Sequence, residues 1–347
     1  MRKAPERLGV LCGLVPRELV EAAGFEARFV AGAGAAEALP ANLCAHVRGA
    51  AAALAGPEGA ALAGVVVADG CYPMLRLWDL LEASASLRPR WLLAVPRRNT
   101  PAAVAFFRGE LERVGAALAA AAGFPSLDTE RVAAAIEARN RWRERGRALC
   151  DGLFAGEIPR LNPRLLEALE GRDTTDAAAS GAAAAAMRPV GGRERRRPRL
   201  LLVGSHFVTG DLLELIAEMG GDVCGVESCT HHRAGTAPVP LQTGTDPLRA
   251  LAAAYLAQPP CPRMEAGGAR VEEAAQLGRT GRIDGVVYLL MKSCTAHAYA
   301  VPHWRTRLAS SGVPLLVLEI ESADWSQPRL ATRFEAFLES LARREPQ

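Results

Sequence analysis

The chain has almost no lysine: of its 41 basic residues only Lys3 and Lys292 are lysine, and the rest are arginine. Beside so much alanine this reads as codon bias, and no arginine function follows from the count. Charge of one sign is also lacking. The net charge of +3 argues against a nucleic-acid protein, which shows a basic stripe with interleaved aromatics. No apolar run approaches the roughly 20 residues of a membrane-spanning helix, since the most apolar stretches are broken by Pro57, Glu58 and Asp69. Pro16, Arg17 and Glu18 interrupt the N-terminal apolar run before any small-residue cleavage site. A signal peptide is therefore not expected, and a cytoplasmic location is. No Cys-x-x-Cys pair exists, which excludes zinc ribbons, thioredoxin chemistry and ferredoxin-type cluster loops. Neither a Walker loop nor a GxGxxG fingerprint is present, so ATP hydrolysis and the usual mode of dinucleotide binding are not expected of the chain itself.

What the chain does have is eight cysteines in 347 residues. In a cytosolic protein these are metal ligands, reactive thiols or buried apolar residues rather than disulfides. The length is natural for two domains. Strand and helix patterns alternate. Residues 7–12, 25–30, 65–67 and 91–95 read as strands, with helices over 16–24 and about 42–54. Three helical stretches, 101–122, 128–150 and 161–170, follow as an arm. Residues 171–198, with an alanine tract and the basic run from Arg193 to Pro198, read as a linker. A second alternating series then places strands at 200–203, 222–226, 286–291 and 315–319. The expected division is 1–170, an N-terminal α/β domain with the helical arm; 171–198, the linker; and 199–347, a C-terminal α/β domain. Alternation of this kind implies parallel sheets covered on both faces.

The halves echo each other. Glu18 to Gly24 runs into a strand, as does Glu214 to Gly220, and Gly64-Val65-Val66 leads to Cys71 as Gly285-Val286-Val287 leads to Cys294. Any two βαβ units look alike to this extent, so the echo alone leaves a true repeat open. In open α/β sheets ligands bind outside the carboxyl ends of the strands. Cys71, Cys229 and Cys294 are expected there, with Ser205 and His206. Cys44 lies near the start of the helix expected over about 42–54, and a helix N-terminus favours a thiolate and an anionic cluster. Spacing alone does not separate ligation from the role of a small buried apolar residue.

The stretches around these cysteines resemble the 2-hydroxyacyl-CoA dehydratase / benzoyl-CoA reductase family of iron–sulfur subunits. The likeness runs through Val15 to Gly24, Leu39 to Cys44, Ala68 to Asp79, Val95-Pro96-Arg97 and Phe106 to Leu111. It resumes with Leu201 to Ser205, Glu227 to Thr230, Pro259 to Arg263, Gly285 to Cys294 and Arg329 to Phe337. It covers nearly the whole chain apart from the linker, and the order of the motifs carries it.

The resemblance implies two Rossmann/flavodoxin-like domains with a [4Fe–4S] cluster in the interdomain cleft, held by Cys44, Cys71 and Cys294. Cys229 is implied to lie near the cluster rather than on it. Cys12, Cys150, Cys224 and Cys261 are read as buried small residues. Three ligands leave one iron open for chemistry. Family members put one electron into a 2-hydroxyacyl-CoA thioester, which then loses its 2-hydroxyl as a ketyl radical anion, or they reduce an aromatic acyl-CoA. The implied partners are an ATP-dependent activator protein as electron donor, a second related subunit or a second copy of the chain, and an acyl-CoA substrate. Two other readings compete: a homodimeric double-cubane-type reductase of small molecules, and a non-catalytic electron-transfer or cluster-carrying protein. Zinc at Cys224, Cys229, His231 and His232 is a further reading, without the usual paired spacing. The stretches Cys229 to His232 and Thr295-Ala296-His297 depart from the family pattern, so its substrate contacts do not carry over. Lys292 suits a cluster sulfide, a CoA phosphate or a loop cap.

Overall fold

Val65, Val66, Val67 and Ala68 are all fully buried, as expected of a strand covered on both faces of a parallel sheet. The computed structural model describes residues 5–30, 39–83, 89–170, 197–205, 209–228, 237–258, 261–264, 268–321, 325 and 328–344. Nearly all of the expected linker and the His206, Cys229, His231 and His232 positions lie outside these residues. Among the described residues no helix is long and apolar enough to cross a membrane.

The chain forms two compact units. One comprises Met1–Arg141 with Ala237–Ala266, the other Trp142–Thr236 with Gly267–Gln347. In the first unit β1 (Arg7–Val10), β2 (Glu26–Phe29), β3 (Val65–Ala68) and β4 (Arg90–Leu93) make a parallel sheet of order β2-β1-β3-β4. The helices are α1 (Arg17–Ala22), α2 (Ala45–Ala55), the single turn α3 (Pro57–Ala60), α4 (Tyr72–Ala83) and α5 (Pro101–Ala121). Thr100 caps α5, its hydroxyl accepting from the Ala103 N–H at 3.2 Å, and Pro101 starts the helix with a preset φ. Gly24 closes α1 at φ +104°, and a Cβ there meets the Phe124 ring at 2.7 Å, so both backbone and space require glycine.

The long helix α6 (Thr129–Ala155) runs from this unit into the other, and α7 (Pro163–Glu170) follows it. The second sheet has β5 (Arg199–Gly204), β6 (Asp222–Glu227), β7 (Gly285–Met291) and β8 (Leu315–Ile320) in the order β6-β5-β7-β8, again all parallel. The two sheets thus share one winding, which gives the sequence echo a structural counterpart. Helices α8 (Gly210–Glu218), α10 (Ala269–Arg279), α11 (Thr295–Ser310) and α12 (Pro328–Ala342) belong here.

Between β6 and α10 the chain returns to the first unit as α9 (Pro247–Ala257), which packs on α5. Specific polar contacts hold it there. Asn140 exchanges two hydrogen bonds with the Val239 backbone, both at 2.8 Å. The Tyr255 hydroxyl donates to the fully buried Glu18 at 2.8 Å, and Arg108 donates to Asp246 at 2.9 Å. Composition marks the linker as the break in the chain, whereas contacts group 237–266 with the first sheet and 142–170 with the second.

Phe107 on α5 is fully buried in the core that joins β1, α1, α5 and α9. Phe107→Ala removes a large side chain from close packing, and a loss of about 3–5 kcal/mol is expected. Urea unfolding followed by circular dichroism measures it. A loss below 1 kcal/mol contradicts the packing described.

Candidate functional site

In a sheet ordered 2-1-3-4 the chain runs from β1 outward to one side and crosses to the other at β3, so the crevice between their carboxyl ends is the place where an open α/β sheet receives ligands. Cys12 lies just beyond β1 and Cys71 is the third residue beyond β3. In the second unit Ser205 lies just beyond β5 and Cys294 is the third residue beyond β7. The equal offset of Cys71 and Cys294 follows from the shared winding.

Cys71 ends its strand connection by starting a helix. The Leu75 N–H donates to its carbonyl at 3.2 Å, and its sulfur accepts from the Met74 N–H. Burial pushes the Cys71 thiol up to about 12; the Met74 bond pulls the other way, and the thiols of Cys12, Cys44 and Cys261 push it further up. The Cys71 thiol therefore senses three other thiols of the first unit. An uncharged thiol is the form this pocket favours when it holds nothing positive, and a bound cation reverses that preference by displacing the proton.

Cys44 is the N-cap of α2, 5% exposed, its carbonyl accepting from the Arg48 N–H at 3.1 Å. Two residues on, His46 stacks on Phe29 at 6.2 Å between ring centres, and burial pushes it down to about 4. The Cys12 sulfur accepts from the Leu14 N–H at 3.5 Å. Cys261 opens a tight turn in which the Met264 N–H donates to its carbonyl at 2.8 Å. Arg263 in that turn donates through Nη2 to the Val95 carbonyl at 3.2 Å. Its Nε is buried and has no hydrogen-bond partner among the described residues.

Cys294 is the N-cap of α11, its carbonyl accepting from the Ala298 N–H at 2.9 Å. The preceding Ser293 has φ 63°, and among the described residues it alone, glycine apart, is left-handed. Such a conformation costs on the order of 1–3 kcal/mol and persists only where its surroundings impose it. Here the Lys292 N–H donates to the Ile320 carbonyl at 2.8 Å and the Cys294 N–H to the Met291 carbonyl at 3.0 Å, fixing the backbone on either side of Ser293. The Lys292 ammonium pairs with Glu321, both half exposed. Behind Cys294, the buried His297 shares a 2.8 Å hydrogen bond with the Tyr288 hydroxyl, and Trp304 meets the Tyr288 ring edge-on. Burial first, and Arg270 second, push His297 down to about 3.

Cys12 and Cys261 both pack against the core of the first unit, as expected of small apolar residues, and each also lies within electrostatic reach of Cys71. Cys12 was legible, since it stands beyond β1 much as Cys71 stands beyond β3; its ordinary packing role hid it. Cys71 stands one residue before α4, and Met74, Leu77 and Leu81, buried along that helix, carry the helical spacing that signals it. Cys224 is fully buried on β6, donates to the Leu200 carbonyl at 3.4 Å and is pushed up to about 12 by burial. Cys150, on α6, is pushed up to about 11 for the same reason. The other members of the proposed zinc set lie outside the described residues. Among the described residues no three His, Cys, Asp or Glu side chains are arranged to hold a metal ion.

A family model described as 2-hydroxyglutaryl-CoA dehydratase, D-component, matches residues 12–341. None of the curated proteins matches the chain. Among solved structures, the periplasmic zinc binding protein TroA from Treponema pallidum aligns over 97% of this chain and 98% of its own, at 11% identity and a TM-score of 0.27.

Proposed function

Because the chain belongs to the family of the 2-hydroxyglutaryl-CoA dehydratase D-component, we propose that it is the iron–sulfur subunit of a 2-hydroxyacyl-CoA dehydratase or a benzoyl-CoA-reductase-like enzyme. The proposed ligands of its [4Fe–4S] cluster are Cys44 and Cys71 from the first unit and Cys294 from the second. The observation that carries the reading is that each of the three stands at the start of a helix. There the macrodipole and the first-turn amides favour a thiolate and the anionic centre it helps to bind. The donor chemistry supports the reading, since thiolates suit iron–sulfur clusters. When bound, the cluster would supply low-potential one-electron transfer.

This chain's own residues do the rest of the work. Burial of Cys44 and partial burial of Cys71 limit the access of water to their sulfurs. The left-handed Ser293 sets the direction in which the chain presents Cys294. The ATP-dependent activator, the second subunit or second copy, and the acyl-CoA substrate follow from the family reading. The proposed Cys229 position near the cluster does so too.

Purified without oxygen, the protein is expected to be brown, to carry about four irons per chain and to bleach in air. Iron and sulfide analysis with the visible spectrum tests this. A colourless protein with stoichiometric zinc after anaerobic preparation overturns it.

A further inference from the structure

β4 ends the first sheet, so its outer side is an edge. Pro89 and Leu93 turn their carbonyls toward β3, accepting from the Val65 N–H at 3.2 Å and the Asp69 N–H at 3.0 Å. Strand alternation therefore turns the backbone groups of Leu92 and Ala94 outward. One ion pair on α5 meets them. Arg113 donates through Nη2 to the Leu92 carbonyl at 2.8 Å, and the Ala94 N–H donates to Glu110 Oε2 at 3.1 Å. The two side chains are locked together, since Arg113 Nε and Nη2 donate to the two Glu110 oxygens at 3.0 and 2.7 Å. In a parallel ladder, one residue of a neighbouring strand donates to the carbonyl just before the residue opposite it and accepts from the N–H just after. Around Leu93 those two groups are the Leu92 carbonyl and the Ala94 N–H. The Glu110–Arg113 pair thus stands where one residue of a fifth strand would stand. The second sheet repeats the carbonyl half of this arrangement. Arg333 on α12 donates at 2.8 Å to the carbonyl of Val317, the third residue of the end strand β8, as Leu92 is the third of β4.

We propose that the outer edge of β4 is a pairing surface for a second copy of this chain, and that the Glu110–Arg113 pair keeps it closed. The inference is independent of the cluster reading above. A sheet edge presents a row of backbone donors and acceptors and so serves as a template for another strand. The sequence of β4, Arg90-Trp91-Leu92-Leu93, holds no proline to refuse one, and its first three residues are only partly buried. A two-fold axis beside β4 sets this edge against itself with the strands antiparallel, and every contact then forms twice. Closing the edge needs groups that an incoming strand cannot displace cheaply. Arg113 first, and the Ala94 N–H after it, hold the Glu110 carboxyl below the usual carboxylate range despite its partial burial. Both members of the pair are therefore charged at neutral pH. A strand that takes their place must strip each charge of its partner and leave it against the sheet.

The test compares the full chain, purified without oxygen, with Glu110→Ala/Arg113→Ala and with Glu110→Gln/Arg113→Gln. Mass is read by light scattering over a range of concentrations, and backbone amide exchange by mass spectrometry. The alanine pair is expected to gain a species of twice the wild-type mass that grows with concentration, in which the amides of residues 90–94 are protected. The glutamine pair keeps an acceptor for Ala94 and a donor for Leu92, and is expected to keep the wild-type mass. Three results overturn the inference: an alanine pair that folds and keeps the wild-type mass, association that leaves residues 90–94 unprotected, or association of the glutamine pair to the same extent. Should the alanine pair fail to fold, Glu110→Ala alone decides, because it opens the Ala94 donor and leaves Arg113 on Leu92. Exchange at Ala94 is then expected to be about tenfold faster than in the wild type, and an unchanged rate overturns the inference.

Discussion

Cys71→Ser, prepared without oxygen, is expected to lose most of its iron and to keep its fold. Two properties of the site separate these outcomes. As a ligand, a serine hydroxyl is a hard, weakly acidic substitute for a soft thiolate, and iron–sulfur binding suffers accordingly. As a helix start, serine is at least as good as cysteine, because a hydroxyl oxygen accepts readily from first-turn amides, and the Met74 N–H already points at this side chain. Iron content should fall several-fold while the far-UV spectrum and the thermal midpoint stay within a few degrees of wild type. Cys294→Ser, at the start of α11, is expected to behave likewise. Cys12→Ser is the control within the same pocket: Cys12 is within reach of Cys71 but is not among the proposed ligands, so its replacement should leave most of the iron. Full iron in Cys71→Ser sinks the ligand assignment. Equal loss in Cys12→Ser widens it to a fourth cysteine.

Acidification of the metal-free chain is expected to cost stability steeply below pH 6.5. His297 and His46 are buried as neutral rings, with pKa values pushed down to about 3 and about 4. The unfolded chain takes up these protons near 6.5, before the folded one does. Their contribution is therefore fully present above pH 6.5 and is lost as pH falls through the folded values. At about 1.4 kcal/mol per unit, His297 alone accounts for on the order of several kcal/mol over that window. His297→Gln keeps a partner for the Tyr288 hydroxyl but has no proton to gain. It is expected to be somewhat less stable at pH 7 and to show a visibly shallower loss between pH 6.5 and 4. Urea midpoints measured across that range check it, and an unchanged slope in the variant means that His297 is not held neutral by the fold. Alkali acts in the opposite sense on the thiols. Cys71, Cys150 and Cys224 are all raised by burial, so their contribution is present below pH 9 and fades as pH climbs toward 11–12.

Most of the fold was readable from local pattern. Short valine runs bounded by glycine gave the buried strands β3 and β7, because a strand covered on both faces has no polar side to show. Gly24 and Thr100 punctuate helices through backbone conformation and capping, which are properties of a few neighbouring residues. That Cys71 and Cys294 each stand just beyond such a strand was equally local, and so was the succession of family motifs. Three things were not. Cys12 and Cys261 belong with Cys71 only because β1 pairs beside β3 and because α9 returns to pack on α5, long-range pairings that no window of sequence contains. The return of 237–266 depends on Asn140, Glu18 and Arg108, each more than 90 residues from its partner. The Arg263 guanidinium reads in sequence as one arginine among many. Its setting comes from the tertiary structure, which seats Nη2 on the Val95 carbonyl and buries Nε beside Gly70. Periodicity and turn chemistry are short-range and therefore legible along the chain, whereas desolvation and the electrostatics of neighbouring sulfurs exist only once the tertiary structure has excluded the solvent.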